Sequence, residues 1–406
     1  MQSESGVGVL RPIKILHVVG SLNRGGIETW LHEVVGRLPR ERYESDFCTY
    51  RRGGRGAYAA ELEHCGCKLH YIPLGRDPLA ILRFSGSFRR LVREGRYDIV
   101  HCHGLLLVGF IMFLAWLERT PVRIAHGHNS RPTGGPVSVA GALAMLLNRV
   151  LARAFSTRAV GCSPEAAAAL FGGGWREGVK CEIIHCGINL KPFEVPPASS
   201  ARDELGIPRG AKVIGHVGSF SIAKNQRFLV DVAAQVFRRR PDVILLLVGE
   251  GALRPSVEES CADLGIRSRV IFAGESSRVP ELMRSAMDAL VMPSLHEGLP
   301  LALLEAQAAG LPCLVSDVVS QEAVISEGSI QFLSLASGAG AWGDAVLSLL
   351  EKPARRPDLL ARMANSDFNA VVSAQHLEDL YGVAQAYIAR DLSAPSTDDL
   401  TAGRSR

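Results

Sequence analysis

Long apolar runs are missing from this 406-residue sequence. The longest, "LLLVGFIMFLAWL" (Leu105 to Leu117), falls short of the roughly 20 residues that cross a bilayer and reads as a buried helix. No basic-then-apolar leader opens the chain. The nine cysteines are scattered without C-x-x-C spacing, and Cys65 and Cys67 are too close for an ordinary bridge. They therefore read as reduced thiols of a cytoplasmic protein, with no zinc motif. A strong charge of one sign is also missing: the net charge is +4, and no nucleic-acid partner is expected. No D-x-D occurs, so a chelated divalent ion lacks that ligand pair and no metal or other cofactor is expected. After the first apolar strand, "VGSLNRGGIE" does not supply G-x-G-x-x-G with an acid about 20 residues on, which argues against a dinucleotide-dependent oxidoreductase.

What is present is a doubled pattern. With 47% hydrophobic residues the chain can fill two cores. Up to Gly187, "IKILHVVG", "ESDFCTY", "KLHYIPL", "DIVHCHG", "VRIAHGH", "TRAVGCS" and "CEIIHCG" read as strands separated by helical stretches. "AKVIGHVGSF", "VILLLVGEG", "RVIFAGE", "DALVMPS", "PCLVSD" and "IQFLSL" form a second series. The fold class is thus α/β, with two doubly wound parallel-sheet, Rossmann-like domains facing a cleft. The Pro/Ser-rich "KPFEVPPASSA" (Lys191 to Ala201) reads as the linker. Residues 1–190 carry net +9 and residues 191–406 net −5, and the basic excess clusters between Arg37 and Arg96. It reads either as solvated helix faces or as a surface that meets an anionic leaflet or acceptor.

Ligands of such sheets bind beyond the carboxyl ends of the strands. There lies "PSLHEGLPLALLEAQAAGLP", in which Glu305 is the only charged residue between Gly298 and Ser316. Pro300 suits the first position of a helix, and Gly310 with Pro312 ends it. Helical side chains lean toward the N-terminus, so Glu305 in the second turn can reach the cleft and accept hydrogen bonds from hydroxyls such as those of a ribose. The N–H groups around Leu299 to Leu301 form an anion site suited to a diphosphate. Glu297 in the preceding loop faces whatever that diphosphate carries.

The stretch "EGLPLALLE" resembles the Glu, seven residues, Glu motif of the family-4 retaining glycosyltransferases of the GT-B fold. "SLNRGGIETWL", "DIVHCHG", "RIAHGHNS", "IGHVGSFSIAKNQRFLVDV" and "LLLVGEG" extend the resemblance over nearly the whole chain, most like transferases that assemble bacterial capsule and exopolysaccharide. It implies an acceptor-side domain over residues 1–190, a nucleotide-sugar domain over 191–375, a helix returning to the first domain over 376–390 ("HLEDLYGVAQAYI"), and a disordered tail over 391–406. Glu305 would hold the nucleotide ribose, Glu297 would contact the donor sugar hydroxyls, the N–H groups around Leu299 to Leu301 would receive the diphosphate, and Gly298 and Pro300 would belong to the same donor site. Lys224 would neutralise that diphosphate, with Gly25 and Gly26 approaching it from the other domain.

His128, followed by Asn129, would contact the donor sugar near the reacting carbon, with His126 as the alternative; His101 and His103 read as structural. Where the family usually has Arg, this sequence has Ser219, and Arg227 is the candidate substitute. The implied reaction is transfer with retention from a nucleotide-sugar, UDP-linked hexose or N-acetylhexosamine ahead of GDP-linked mannose. The acceptor would be a saccharide or lipid-linked saccharide, reached from the cytoplasm or the inner face of the plasma membrane. A sugar-nucleotide epimerase of the same fold and a noncatalytic nucleotide-sugar-binding protein are the competing readings.

Overall fold

The structure is a computed structural model that describes residues 11–51, 54–75, 77, 79–128, 138–178, 181–196, 201–351 and 358–393. Seven parallel strands form the first sheet: β1 (Ile13–Val19), β2 (Tyr43–Thr49), β3 (Leu69–Tyr71), β4 (Ile99–Gly104), β5 (Val122–Gly127), β6 (Arg158–Gly161) and β7 (Cys181–Ile183). Their spatial order is β3-β2-β1-β4-β5-β6-β7. Six more form the second: β8 (Lys212–Val217), β9 (Val243–Val248), β10 (Val270–Gly274), β11 (Ala289–Met292), β12 (Cys313–Ser316) and β13 (Ile330–Leu333), in the order β10-β9-β8-β11-β12-β13. Each sheet reverses its winding once, between β1 and β4 and between β8 and β11. At these points the loops leave for opposite faces and open a crevice.

Helices cover both faces of both sheets, which is why strands such as "VILLLV" are apolar without alternation. One core of the first domain gathers Ile15, Trp30 and Phe47, the other Leu16, Phe88 and Ile111. In the second domain Leu246, Leu290 and Leu303 lie on one face and Leu245, Val291 and Trp342 on the other. The long apolar run becomes the helix Val108–Leu117, with Ile111, Met112, Leu114 and Ala115 buried.

The chain crosses between domains twice, and the crossings touch. Ile188 bridges Asn369, and the Gly187 N–H donates to Ser373 Oγ at 2.9 Å. A Cβ on Gly187 would stand 2.4 Å from the Asn369 carbonyl carbon, so only glycine fits. The expected linker is partly structured: Lys191–Glu194 is one helical turn, Phe193 and Ala201 are buried in the second core, and residues 197–200 lie outside the described residues.

The returning helix runs from Ala370 to Ser393, longer at both ends than the expected 376–390. Leu377, Leu380 and Tyr381 are buried in the first domain's core. The tail expected at 391–406 is corrected at its start, because residues 391–393 continue this helix; 394–406 lie outside the described residues. Pro300 also shifts by one: its backbone is extended (φ −80°, ψ 97°) and it caps a helix that begins at Leu301.

Candidate active site

The loops at the two switch points face each other across a cleft of about 1120 Å³ lined by both domains. On the second domain's side, the turn after β8 runs through Ser219 into a short 3-10 segment, Ile222–Lys224. Asn225 then takes a left-handed backbone (φ 54°) and donates from Nδ2 to Pro293 O at 3.1 Å, while Leu295 N donates to Ala223 O at 2.7 Å. The loops after β8 and β11 are thereby fastened together. Their fastening brings Lys224 Nζ to 2.7 and 2.9 Å from the two carboxylate oxygens of Glu297. Ser294 Oγ donates to the same carboxylate at 2.6 Å, and its own carbonyl accepts from Ser316 Oγ at the end of β12. Three hydrogen bonds, two from Lys224 and one from Ser294, thus hold the Glu297 carboxylate at the cleft.

The helix Leu301–Ala308 buries Leu303, Leu304, Ala306, Gln307 and Ala308. Gln307 is tied inward, donating to Ala323 O and accepting from Ile325 N. Glu305 instead lines the cleft. Burial pushes its carboxyl up to about 7, and the Glu33 carboxylate opposite adds to the effect. Leu299 and Leu301 pack against the cores of both domains, which accounts for the apolar character of this stretch. Across the gap, a Cβ on Gly26 would lie 3.8 Å from Leu301, and Gly25 caps the helix Gly26–Val35. Gly298 and Pro300 line the same wall.

His128 lies at the inner end of the cleft, 4% exposed, directly after β5. Both ring nitrogens have neighbours: Nε2 is 3.1 Å from His103 Nδ1, and Nδ1 is 3.4 Å from Cys186 Sγ. His103 Nε2 continues to His17 Nδ1 at 3.3 Å. A second chain joins Tyr381, His101 and His126, at 2.7 and 3.1 Å. Burial holds His17 at about 3 and drives His101, His103 and His126 well below the ordinary imidazole value, so these four are neutral. His126 is fully buried, one ring behind His128. Asn129 lies outside the described residues.

Lys224, Glu297, Gly298, Leu299, Pro300, Leu301, Glu305, Ser219, Gly25, Gly26 and His128 all line the one cleft. Arg227 does not join them: its Nη1 donates to Ser260 Oγ at 2.5 Å on the neighbouring helix. It therefore cannot stand in for the cation missing at Ser219. Among the described residues, Arg24 and Arg51 reach the cleft from the other side. Arg24 lies over the Tyr58 ring at 5.0 Å, and its N–H donates to Glu275 of the second domain at 3.3 Å. Sequence reasoning missed both, although Arg24 adjoins the glycine pair and Arg51 follows the end of β2. It also missed Glu28, whose carboxyl burial raises, and His296, whose buried Nε2 has no hydrogen-bond partner among the described residues.

Two facing Rossmann-like domains, with paired carboxylates and a lysine at the second domain's switch point, are the architecture of a GT-B glycosyltransferase. Sequence comparison agrees: "Glycosyl transferase 4-like domain" matches residues 25–187 and "Glycosyl transferases group 1" matches residues 198–366. EpsF of Bacillus subtilis (strain 168), described as a glycosyltransferase, is 35% identical over 340 residues, covering 82% of this chain and 86% of EpsF. The Escherichia coli UDP-Gal:alpha-D-GlcNAc-diphosphoundecaprenol alpha-1,3-galactosyltransferase is 25% identical over 389 residues, 91% of this chain and 96% of that protein. Among solved structures, Anabaena HepE in complex with UDP and glucose superimposes with a TM-score of 0.76 at 19% identity, over 91% of this chain and all of HepE. The chain belongs to the glycosyltransferases and has the GT-B fold.

Proposed function

We propose that this chain moves a hexosyl group from a UDP-sugar to a lipid-linked saccharide with retention of configuration and without a metal. The observation that carries this reading is the Lys224–Glu297 pair beside Glu305 at the mouth of one helix. Glu305 accepts the ribose hydroxyls, and the first N–H groups of the helix at Leu301, free of intrahelical partners, receive the diphosphate. Lys224 exchanges its Glu297 contact for a β-phosphate oxygen, and Glu297 turns to the sugar hydroxyls.

When the bond from the sugar's anomeric carbon to the phosphate oxygen breaks, the electron pair leaves with UDP. Lys224 and the helix N-terminus stabilise the developing charge. The acceptor hydroxyl bonds to the same face of that carbon and passes its proton to the departing phosphate. Arg24 and Arg51 bring positive charge from the first domain, where Ser219 brings none. UDP is favoured by the E. coli relative's named donor and by the UDP bound to HepE.

A lipid-linked acceptor requires a surface that meets the leaflet. Among the described residues no helix is long and apolar enough to span one. The helix Val139–Phe155 instead presents Val139, Leu143, Leu146, Leu147 and Val150 outward, each at least half exposed, just after the segment that follows His128. The arginine cluster is a weaker docking face than the sequence implied, because Arg89 and Arg93 both pair with Glu118. The proposed contact is this apolar face on an anionic cytoplasmic leaflet, with the first domain's net +9 as attraction.

The direct test screens nucleotide sugars for thermal stabilisation, then measures UDP release with a saccharide acceptor present. UDP-sugars should stabilise the protein, and Lys224→Ala should lower release at least a hundredfold. Equal release by Lys224→Ala, or stabilisation by no nucleotide sugar, overturns the reading.

A further inference from the structure

The three side chains at the inner end of the cleft, His128, Cys162 and Cys186, come from segments after three adjacent strands, β5, β6 and β7. Spacings of 34 and 24 residues give no local metal motif. The parallel register nonetheless places a ring nitrogen of His128 and both Sγ atoms within 4.8 Å of one another, with Nδ1 the nitrogen that faces Cys186. All three residues line the cleft, and each is at most 4% exposed. We propose that His128, Cys162 and Cys186 form a binding site for a thiophilic divalent cation such as Zn²⁺, and that occupancy shuts off transfer.

Geometry supports this first. Zinc bonds of about 2.3 Å to sulfur and about 2.05 Å to nitrogen, at a tetrahedral angle, set sulfur and nitrogen ligands about 3.6 Å apart. Cys186 Sγ and His128 Nδ1 are already 3.4 Å apart. The second support lies behind the ring. A metal-bound imidazole almost always donates its other N–H to a fixed acceptor. With the metal on Nδ1, the His128 Nε2 hydrogen faces His103 Nδ1 at 3.1 Å, and the His103 Nε2 hydrogen faces His17 Nδ1 at 3.3 Å. The tautomer that metal binding requires is one that these buried neighbours can accept.

Charge supports it third. Any proton still on the sulfurs leaves to solvent on binding, and two thiolates cancel the charge of the cation, so a near-neutral group sits in a nearly dry place. Two sulfurs and one imidazole favour zinc over hard cations such as Mg²⁺. A fourth position is left toward the cleft. The other clusters of potential ligands among the described residues, His17 with His101 and His103 and His103 with His126 and His128, lack sulfur.

Inhibition rests on the sugar-contacting role proposed for His128: a cation on Nδ1 leaves the ring no nitrogen for the donor sugar. Metal binding itself does not rest on that role. Full-length protein, kept reduced with a non-chelating phosphine, is titrated with Co²⁺ as a spectroscopic stand-in for zinc. One equivalent should produce a thiolate-to-cobalt charge-transfer band, and Zn²⁺ should displace it. Cys162→Ser and Cys186→Ser should each weaken binding at least tenfold, whereas the Cys65→Ser/Cys67→Ser double variant should match wild type. Retained UDP binding confirms that the variants are folded, and Cys162→Ala and Cys186→Ala repeat the test if the serine forms fail that check. No band in wild type, or a band that survives both single substitutions, overturns the site. A normal band with transfer unaffected by one equivalent of Zn²⁺ overturns the inhibition alone.

Discussion

Glu305 is held at a disadvantage in the ligand-free protein. Its carboxyl is raised from an ordinary 4.5 to about 7 by burial, with Glu33 nearby. Below about pH 4.5 folded and unfolded chains both carry the proton. Between about 4.5 and 7 only the folded chain does, so stability falls as pH rises through that window, and the deficit is complete above about 7. Glu305→Gln should therefore stabilise the empty protein by about 1–3 kcal/mol at pH 8 and by little at pH 4.5. Thermal melts at both pH values check this; equal effects would mean that the carboxylate is not strained by its surroundings.

The same residue should matter oppositely for ligand. Glu305→Ala would remove the acceptors proposed for the ribose hydroxyls and should cost about 1.5–3 kcal/mol, roughly a ten- to hundredfold loss in UDP affinity. Unchanged affinity by calorimetry would remove its ribose role. Both carboxylates were legible in the sequence because they stand out in an apolar stretch. Arg24, Arg51 and His296 were not, because nothing in local spacing says which arginine or histidine a fold will turn toward a cleft.

At the scale of elements, the 13 strands were readable because buried parallel strands are short and β-branched. Helix ends were less so: Pro300 caps rather than begins its helix, and the returning helix starts six residues before position 376. Its early start depends on Ala370 meeting Ile188, a contact 182 residues apart in sequence that no periodicity announces. The exposed face of Val139–Phe155 was also missed, because apolar residues at helical spacing look alike whether they face a core or lie exposed. Leu143→Asp with Leu147→Asp should cut the fraction bound to anionic vesicles at least tenfold and leave UDP binding intact. Wild-type binding should fall with salt yet persist beyond 0.1 M, where charges are screened over about 10 Å but apolar contact is not. A double variant that binds vesicles like wild type would exclude this face.

At the scale of the molecule, the two domains meet through the crossing pair at Gly187 and Asn369 and through the apolar turn Leu299–Leu301. Gly187→Ala forces a Cβ into backbone atoms of the second crossing and should lower stability by about 1–3 kcal/mol, read as a drop in thermal midpoint. An unchanged midpoint would show that the crossings part freely. The two-domain plan was legible because the β/α series is written twice. The cysteine and histidine cluster was not, since its members come from three strands and meet only when the sheet closes.

Retaining transfer from a UDP-sugar is the central claim, and the anomeric configuration of the product tests it most directly. Wild-type protein is supplied with the α-linked UDP-sugar that stabilises it best and with a saccharide acceptor, and the isolated product is read by proton NMR at the new anomeric centre. The account predicts an α-linked glycoside formed in step with UDP release, both lost together in Lys224→Ala. A β-linked product, free sugar alone, or an epimerised donor formed without any acceptor would contradict it.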